Sequence, residues 1–181
     1  MSNPFPLPLS IGLRTGLGYD THRLEEGRPL TLAGLVLPSP RGPIAHSDGD
    51  VLCHAIVDAL LGAAALGDIG RHFPDKDPKW KNTPGLTFLQ HTRRLLEDNG
   101  YRIVNIDATV VLDEPKLAPH MEKITQRIAE ALGIDSGQLA PGAVFVTPAL
   151  STPGTYSLIC RTHLSRNHAT TLVVQIGRAH V

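Results

Sequence analysis

The sequence predicts a single-domain α+β fold in which a mixed β-sheet is layered with helices. The chain has 181 residues, a length that fits one domain able to bury its own core. Hydrophobic residues make up 41% of the chain and charged residues 19%, proportions typical of a soluble globular protein. Strand-like and helix-like segments alternate along it, which indicates layers of sheet and helix. Aromatic residues are only 4%, so the predicted core is aliphatic.

The chain begins with a proline-rich lead-in over residues 1–10, followed by a predicted strand over residues 11–24. Gly16 and Gly18 in this strand indicate a close approach to another backbone. Asp20 and His22 are two residues apart, so on a strand their side chains point to the same side. Metal ligands have this spacing, but so do many pairs of solvated polar groups. Spacing alone leaves both interpretations open.

The longest helix is predicted over the apolar run of residues 51–66. Ser47 is its predicted N-terminal cap, because a serine hydroxyl can accept hydrogen bonds from the first free amides. Asp48 and Asp50 add negative charge beside the positive end of the helix dipole. Gly67 is the predicted stop.

One face of this helix carries an unusual polar series. Asp50, His54 and Asp58 recur every four residues, so they lie about one turn apart on the same face. Burying polar groups costs free energy unless they are paired or bind something. The series therefore indicates either a ligand site or three side chains that satisfy one another in the core.

Strand-like alternation, helical spacing and turn residues predict the remaining elements. The helices are expected to end at Gly100 and Gly133, since glycine adopts the left-handed conformation without strain. The elements are a short strand over residues 28–38, an irregular loop over 70–85, a helix over 86–99, a strand over 101–112 and a helix over 119–132.

Composition excludes several classes of partner. Seventeen basic and seventeen acidic residues balance, so no overall charge favours nucleic acid or an anionic membrane. The sequence has no uninterrupted apolar run long enough to cross a membrane. Its first ten residues lack a basic region followed by an apolar one, so a secretory signal is not expected. Cys53 and Cys160 form no CxxC pair, and free thiols in a reducing, bacterial cytoplasm are expected.

Two motifs give the sequence a specific resemblance. They are Asp20-Thr21-His22 and the run HSDGDVLCHAIVDALLGAAALGDIGRHFPDKDP over residues 46–78. Together they resemble the family of 2-C-methyl-D-erythritol 2,4-cyclodiphosphate synthase, an enzyme of the non-mevalonate isoprenoid pathway. The resemblance covers residues 14–139 and includes the segment IDATVVLDEPKLAPH. It is specific because the polar positions keep their spacing over the whole run.

The resemblance implies a metal-dependent lyase reaction. The substrate would be 4-diphosphocytidyl-2-C-methyl-D-erythritol 2-phosphate, whose 2-phosphate attacks the β-phosphorus, closes the cyclic diphosphate and expels CMP. By resemblance, Asp20, His22 and His54 bind one Zn²⁺, and a second divalent cation, Mg²⁺ or Mn²⁺, bridges the phosphates. His46 is the candidate for stabilising the transition state. We infer that Asp58 orients a zinc ligand from one turn away.

The resemblance also implies a substrate pocket and an assembly. Asp20, Thr21 and His22 would contact substrate, and Asp68 suits polyol hydroxyls because an ionised carboxylate only accepts hydrogen bonds. In the family the pocket lies between subunits of a homotrimer. The expected substrate-binding residues are those three, His46, Ser47, Asp68, Ile69, Gly70, Phe73, Pro74, Asp75, Lys76 and Asp77, with Leu112, Asp113, Glu114, Pro115, Lys116, Leu117 and Ala118 holding the cytidine part for a neighbouring subunit.

The domain is expected over residues 11–142, and residues 143–181 depart from the family. They lack its Thr-Thr-x-Glu element and contain no glutamate that could hold the second metal. Our hypothesis is that the reading frame is lost near Ala143, since the final Ile-Gly-Arg-Ala-His-Val resembles a translated sequencing adapter. Resequencing the DNA tests it, and an intact frame would contradict it. A genuine segment would predict loss of a core strand, weak activity and poor trimerisation.

Three hypotheses follow from the sequence. The first is the zinc-dependent synthase, favoured by the intact metal and pocket motifs. The second is a catalytically impaired trimeric subunit that binds a cytidine diphosphate, favoured by the missing glutamate. The third is a phosphate-hydrolysing metalloenzyme, distinguished by a product that is not cyclic. The sequence has no GxxxxGK[ST] loop, so an ATP-driven reaction is not expected.

Overall fold

The computed structural model describes residues 13–110, 112, 114–140, 155–165 and 173–179. The helices in this part are α1 (Val51–Ala64), α2 (Ile69–His72), α3 (Gly85–Asp98) and α4 (Met121–Leu132). The strands are β1 (Leu13–Glu26), β2 (Leu30–Leu32), β3 (Leu35–Leu37), β4 (Arg41–Pro43), β5 (Arg102–Ala108), β6 (Leu139–Ala140), β7 (Thr155–Ser165) and β8 (Val173–Ala179).

Six of the strands form one mixed sheet, in the order β4-β1-β7-β8-β5-β6. β1 runs antiparallel to β4 and β7, whereas β5 runs parallel to β6 and β8. α1 packs on β1 and β7, and α3 packs between α1 and α4. The mixed sheet with its helical layer confirms the predicted α+β class.

The C-terminal segment supplies two strands of this sheet. β7 pairs with β1 from Leu13↔Ser165 to Arg23↔Thr155, and it also pairs with β5 and β8. The prediction that a genuine C-terminal segment would leave the sheet without a core strand is therefore wrong, since the backbone of β7 fills that place. Ladder hydrogen bonds join main-chain groups, so a segment without a clean alternation of side chains can still pair. The proposed frame change near Ala143 lies outside the described residues.

The start of α1 differs from the prediction. Asp50, not Ser47, is the N-cap, and its carboxylate accepts a hydrogen bond from the Cys53 amide at 3.1 Å. The Ser47 hydroxyl lies before the helix and accepts a hydrogen bond from the Gly49 amide at 3.2 Å. A cap must lie directly before the first helical residue, and the turn through Gly49 places Asp50 there.

The end of α1 also differs. The helix ends at Ala64, and Ala65 adopts a left-handed conformation with φ 58° where Gly67 was the predicted stop. The Leu66 amide closes the turn by donating to the Leu61 carbonyl at 2.9 Å. Hydrogen bonding of the last carbonyls thus outweighs the strain of a left-handed alanine.

Gly18 confirms the predicted close approach of β1 to another backbone. A Cβ at this position would overlap the Ala55 carbonyl and would lie 2.6 Å from the Ala59 amide. The bare backbone lets α1 pack directly on β1. This contact is two residues before Asp20 and one residue after His54 in α1, so it brings the two motifs together.

The segment predicted as one strand over residues 28–38 is a hairpin. β2 and β3 pair antiparallel, and the turn between them places Ala33 and Gly34 at φ 48° and 64°. Two adjacent residues with positive φ make a tight turn that reverses the chain. The predicted loop over residues 70–85 is also partly ordered, since it contains most of α2 and a 3₁₀ turn at Pro78–Trp80.

The core lies between the sheet and the helices α1, α3 and α4. Its largest fully buried side chains are aliphatic, as the low aromatic content predicted. The helix predicted over residues 119–132 is confirmed and ends at Gly133, which has φ 62°. No helix among the described residues is long and apolar enough to cross a membrane. The buried set includes Leu32, Ile56, Leu60, Leu61, Leu89, Leu96, Ile106, Leu117, Ile124, Ile128 and Leu132.

Candidate active site

Three side chains from β1 and α1 converge at one point. Asp20 and His22 point to the same side of β1, and the close packing at Gly18 brings His54 of α1 over them. Asp20 Oδ2 lies 3.0 Å from His54 Nδ1 and 3.1 Å from His22 Nδ1. One possible ligand atom from each of the three residues lies within 4.8 Å of the others. The sequence-predicted metal ligands are therefore neighbours in the fold.

Further hydrogen bonds orient this triad. Asp20 Oδ1 accepts a hydrogen bond from the Thr21 amide at 2.8 Å, so both carboxylate oxygens are directed. His54 Nε2 lies 3.1 Å from the Ser47 hydroxyl. Ser47 and Asp20 thus engage the two ring nitrogens of His54 and fix the plane of its imidazole.

The charges of the triad reinforce one another. Burial alone raises the pKa of Asp20, but the hydrogen bond with His54 and the imidazoles of His22 and His54 close to the carboxylate outweigh it and hold the pKa well below its usual range. Burial alone lowers the pKa of His54, yet the paired Asp20 carboxylate raises it overall. The arrangement therefore favours an ionised Asp20 carboxylate that faces the ring nitrogens of two imidazoles.

The triad fits a metal ion. His22 Nδ1 is buried and, despite its short distance to Asp20, has no hydrogen-bond partner among the described residues. Two imidazole nitrogens and a carboxylate oxygen are a donor set that suits Zn²⁺. Three protein ligands leave a fourth position open, as in catalytic rather than structural zinc sites.

The triad lies in a cavity of about 550 Å³, which is large enough for a small ligand. Eleven of its lining residues were singled out from the sequence. They are Asp20, Thr21, His22, His46, Ser47, His54, Asp58, Ile69, Gly70, Phe73 and Asp75. Sequence reasoning missed the other four, Ile44, Ala45, Trp80 and Phe88.

An aromatic cluster forms part of the cavity lining. The Phe73 ring lies 5.0 Å from Trp80 and 4.9 Å from Phe88, measured between centroids. The Phe88 ring also lies 5.7 Å from the His54 ring, and Trp80 meets His91 edge-on at 5.4 Å. A signal was present: Trp80 is the single tryptophan of a chain poor in aromatics, and it stands between two phenylalanines in sequence.

Four residues expected in the pocket do not line the cavity. Asp68 caps α2 by accepting a hydrogen bond from the Arg71 amide at 2.8 Å. Asp77 caps the 3₁₀ turn by accepting one from the Lys79 amide at 3.0 Å. Pro74 and Lys76 are exposed in the same segment. Of the loop Asp75-Lys76-Asp77, Asp75 alone reaches the lining.

The segment expected to hold cytidine lies away from the cavity of its own chain. Leu112 and Leu117 are buried in the core, and Glu114 forms an ion pair with Arg41 at 3.5 Å. Pro115 is half-buried. Lys116 and Ala118 are exposed, whereas Asp113 lies outside the described residues.

The polar face of α1 is not a set of three residues that satisfy one another. Asp58 accepts a hydrogen bond from the Ile69 amide at 2.7 Å, and Asp50 accepts hydrogen bonds from the Cys53 and Gly34 amides, both at 3.1 Å. Asp58, inferred from the sequence to orient a zinc ligand, makes its described hydrogen bond with the Ile69 amide and none with His54 among the described residues. Asp58 thus fixes the start of α2, and burial raises the pKa of its carboxyl group.

The model of the YgbB family matches residues 13–143 of this chain. A 2-C-methyl-D-erythritol 2,4-cyclodiphosphate synthase from Solibacter usitatus strain Ellin6076 is 54% identical, over 68% of this chain and 77% of the relative. A solved structure of a synthase of that name in a CDP-bound form is 38% identical, with a TM-score of 0.72, and covers 91% of this chain and 100% of its own. The Plasmodium falciparum IspF CDP complex is 30% identical, with a TM-score of 0.72, and covers 86% of this chain and 97% of its own.

Proposed function

The chain belongs to the YgbB family, and from this membership we propose that it is a 2-C-methyl-D-erythritol 2,4-cyclodiphosphate synthase. Its substrate is 4-diphosphocytidyl-2-C-methyl-D-erythritol 2-phosphate, and its products are the cyclic diphosphate and CMP. The observation that carries the proposal is the convergence of Asp20, His22 and His54 at a cavity in a chain so similar to named synthases. The same similarity favours the synthase over an impaired binding subunit.

The reaction is an intramolecular phosphoryl transfer. An oxygen of the 2-phosphate forms a bond to the β-phosphorus while the bond from that phosphorus to the bridging oxygen breaks, and CMP leaves with the electron pair. A phosphate is anionic at neutral pH, so the step needs no strong base. The protein must instead fold the substrate so that the two phosphates meet, and must balance their negative charge.

We assign Asp20, His22 and His54 as the residues that would hold Zn²⁺. When bound, this ion supplies a Lewis acid that neutralises charge on a phosphate. The Ser47 hydroxyl, 3.1 Å from His54 Nε2, would keep the ring oriented for this role and leave Nδ1, which faces Asp20, as the nitrogen for the ion. We therefore propose that the enzyme is a metal-dependent lyase.

The residues around the triad bind and orient the substrate. His46 and Ser47 line the cavity and would contact the phosphates, with His46 stabilising charge in the transition state. Asp75 is the acidic group of its loop that can accept hydrogen bonds from the polyol. Asp58 holds Ile69 and Gly70 in place through its hydrogen bond to the Ile69 amide.

The second cation, Mg²⁺ or Mn²⁺, has no assigned ligands in this proposal. Among the described residues, Asp20, His22 and His54 are the one acid–histidine–cysteine group close enough to hold a metal ion. The family glutamate would lie in the C-terminal segment, where this sequence has none. We therefore derive no step through a second metal.

A homotrimer is the proposed assembly. Leu17 and Tyr19 are 56% and 44% exposed on the face of β1 opposite Asp20 and His22. Covering such an apolar strand face with another subunit would lower the free energy of the assembly. In a trimer, Lys116 and its neighbours could complete the pocket of the next subunit. The proposed location is the bacterial cytoplasm, a reducing compartment in which the buried thiol of Cys53 stays free.

Phosphorus NMR tests the proposal directly. The cytidine diphosphate substrate is incubated with the full chain, Zn²⁺ and Mg²⁺, and a cyclic diphosphate with equimolar CMP is the expected result. A linear phosphate product would instead identify a hydrolase. Unchanged substrate, with zinc bound to folded protein, would support the impaired subunit, and residues 143–181 would be the first segment to replace.

A further inference from the structure

We propose that Asp48 is a positioning residue, which holds His46 and Ser47 at the cavity by tying their loop to the start of α3. The 46–50 loop, His46 to Asp50, lies between β4 and α1 and has no regular secondary structure of its own. It nevertheless carries two of the residues proposed to meet the phosphates. The expected effect of Asp48 on activity rests on the proposed function. Its effect on the position of the loop rests on hydrogen bonds alone.

The Asp48 carboxylate binds two amides from different elements. Oδ2 accepts a hydrogen bond from the Gly85 amide at 2.9 Å, and Oδ1 accepts one from the Asp50 amide at 3.1 Å. Gly85 is the first residue of α3, and Pro84 before it offers no side-chain cap. Asp48 thus caps α3 from outside that helix, while Asp50 caps α1.

Two main-chain hydrogen bonds add to this connection, one at His46 and one at Asp48 itself. The Asn82 amide donates to the His46 carbonyl at 3.1 Å, and the Asp48 amide donates to the Thr83 carbonyl at 3.4 Å. The 46–50 loop therefore runs along residues 82–85 as a short ladder. Its geometry depends on Asp48, because the side chain closes this ladder at the α3 end.

The packing at Gly85 leaves the loop little freedom. A Cβ on Gly85 would lie 2.7 Å from Asp50 Cβ and 2.8 Å from Cys53 Cβ, so α3 begins against the first turn of α1. Asp48 links the two helices at this contact. Loss of its carboxylate would free the His46–Ser47 peptide but would leave the triad on β1 and α1 in place.

The test compares Asp48→Ala with Asp48→Ala combined with Pro84→Ser. Serine at the N-cap of α3 supplies a local cap, and so replaces the stabilising role of Asp48 without the tie to the loop. We expect Asp48→Ala to lower kcat/KM about 10- to 100-fold, since a displaced positioning group costs that much. Zinc affinity should fall much less than kcat/KM, because Asp20, His22 and His54 stay on β1 and α1. Pro84→Ser should restore the Tm but not the activity.

Asp135→Asn is the matched control. The Asp135 carboxylate caps a 3₁₀ turn by accepting a hydrogen bond from the Gly137 amide, and the residue does not line the cavity. It should leave kcat/KM unchanged. Restoration of activity by Pro84→Ser would overturn the proposal and make Asp48 a helix cap only. Unchanged activity in Asp48→Ala, or a loss that parallels lost zinc, would overturn it as well.

Amide hydrogen exchange separates this proposal from the proposed function. The Asn82 amide bonds to the His46 carbonyl and does not touch the Asp48 side chain, so its exchange reports the loop. Faster exchange in Asp48→Ala than in Asp135→Asn is expected even if the wild-type chain forms no cyclic product. Equal exchange would overturn the positioning role whatever the activity.

Discussion

The two walls of the cavity are built in different ways. The polar wall consists of Asp20, His22 and His54, which lie on one strand and one helix that pack closely at Gly18. The aromatic wall consists of Phe73, Trp80 and Phe88, drawn from a loop, a 3₁₀ turn and a helix. The polar wall could therefore be recognised from sequence motifs and their family resemblance, whereas the aromatic wall depends on how separate elements pack.

The walls also meet, because Phe88 contacts the ring of the zinc-ligand candidate His54. The polar wall supplies a carboxylate and two imidazoles, and the aromatic wall supplies a fixed apolar surface beside the His54 imidazole. Substitutions on the polar wall should therefore affect activity and zinc binding most, and substitutions on the aromatic wall should affect stability most.

The largest effect is expected on the polar wall, from Asp20→Asn. An amide cannot supply the negative charge that both imidazoles face, so zinc binding should be lost and activity should fall at least about 10³-fold. Zinc titration and phosphorus NMR measure the two losses. Asp98→Asn on the exposed end of α3 is the control, and activity retained in Asp20→Asn would contradict the assignment.

A substitution on the aromatic wall should affect stability first and metal binding second. Phe88→Ala is expected to lower the free energy of unfolding by about 3–5 kcal/mol, because Phe88 is only 3% exposed. It should also weaken zinc binding roughly tenfold by loosening the His54 ring. Urea unfolding and zinc titration check both effects.

Leu89→Ala is the matched control for Phe88→Ala. Leu89 is the next residue of α3 and is fully buried, but it does not line the cavity. Its loss should cost about 2–5 kcal/mol of stability and leave zinc affinity unchanged. Equal effects of the two substitutions on zinc affinity would mean that the aromatic wall does not support the polar one.

The smallest effect concerns Asp50, which caps α1 behind the polar wall and is completely buried. Burial and the neighbouring Asp48 carboxylate raise the pKa of Asp50 from 3.8 to about 6. The folded chain therefore holds this proton more tightly than the unfolded chain. Ionising Asp50 costs no stability below about pH 4, and the cost grows to roughly 3 kcal/mol as the pH rises through about 6.

Urea unfolding of the wild type and Asp50→Asn between pH 4 and 8 measures this cost. The stability of the wild type relative to the variant should fall as the pH rises from about 4 to 6, and should then level off. The lost acceptor in the variant adds a constant that does not change with pH. A difference that is the same at every pH would contradict the raised pKa.

Several elements were predicted with nearly the right bounds because their signals are local. The helix α4 ends at Gly133 as expected, and β1 carries Asp20 and His22 on one side. The ends of α1 were misplaced, since both Ser47 and Gly67 have the right chemistry but the wrong position relative to the first and last hydrogen-bonded turns. The hairpin of β2 and β3 was missed because Ala33 adopts a positive φ that its residue type does not signal.

The sequence by itself determined the α+β class, because periodicity acts within single elements, and its motifs carried the resemblance that named the family and the three candidate metal ligands. The tertiary structure alone decided that Trp80 and Phe88 face the cavity and that Asp68 and Asp77 cap turns beside it. It also decided that Asp48 reaches α3. These outcomes depend on contacts between residues distant in sequence, and such contacts form only where packing brings their elements within a few ångströms.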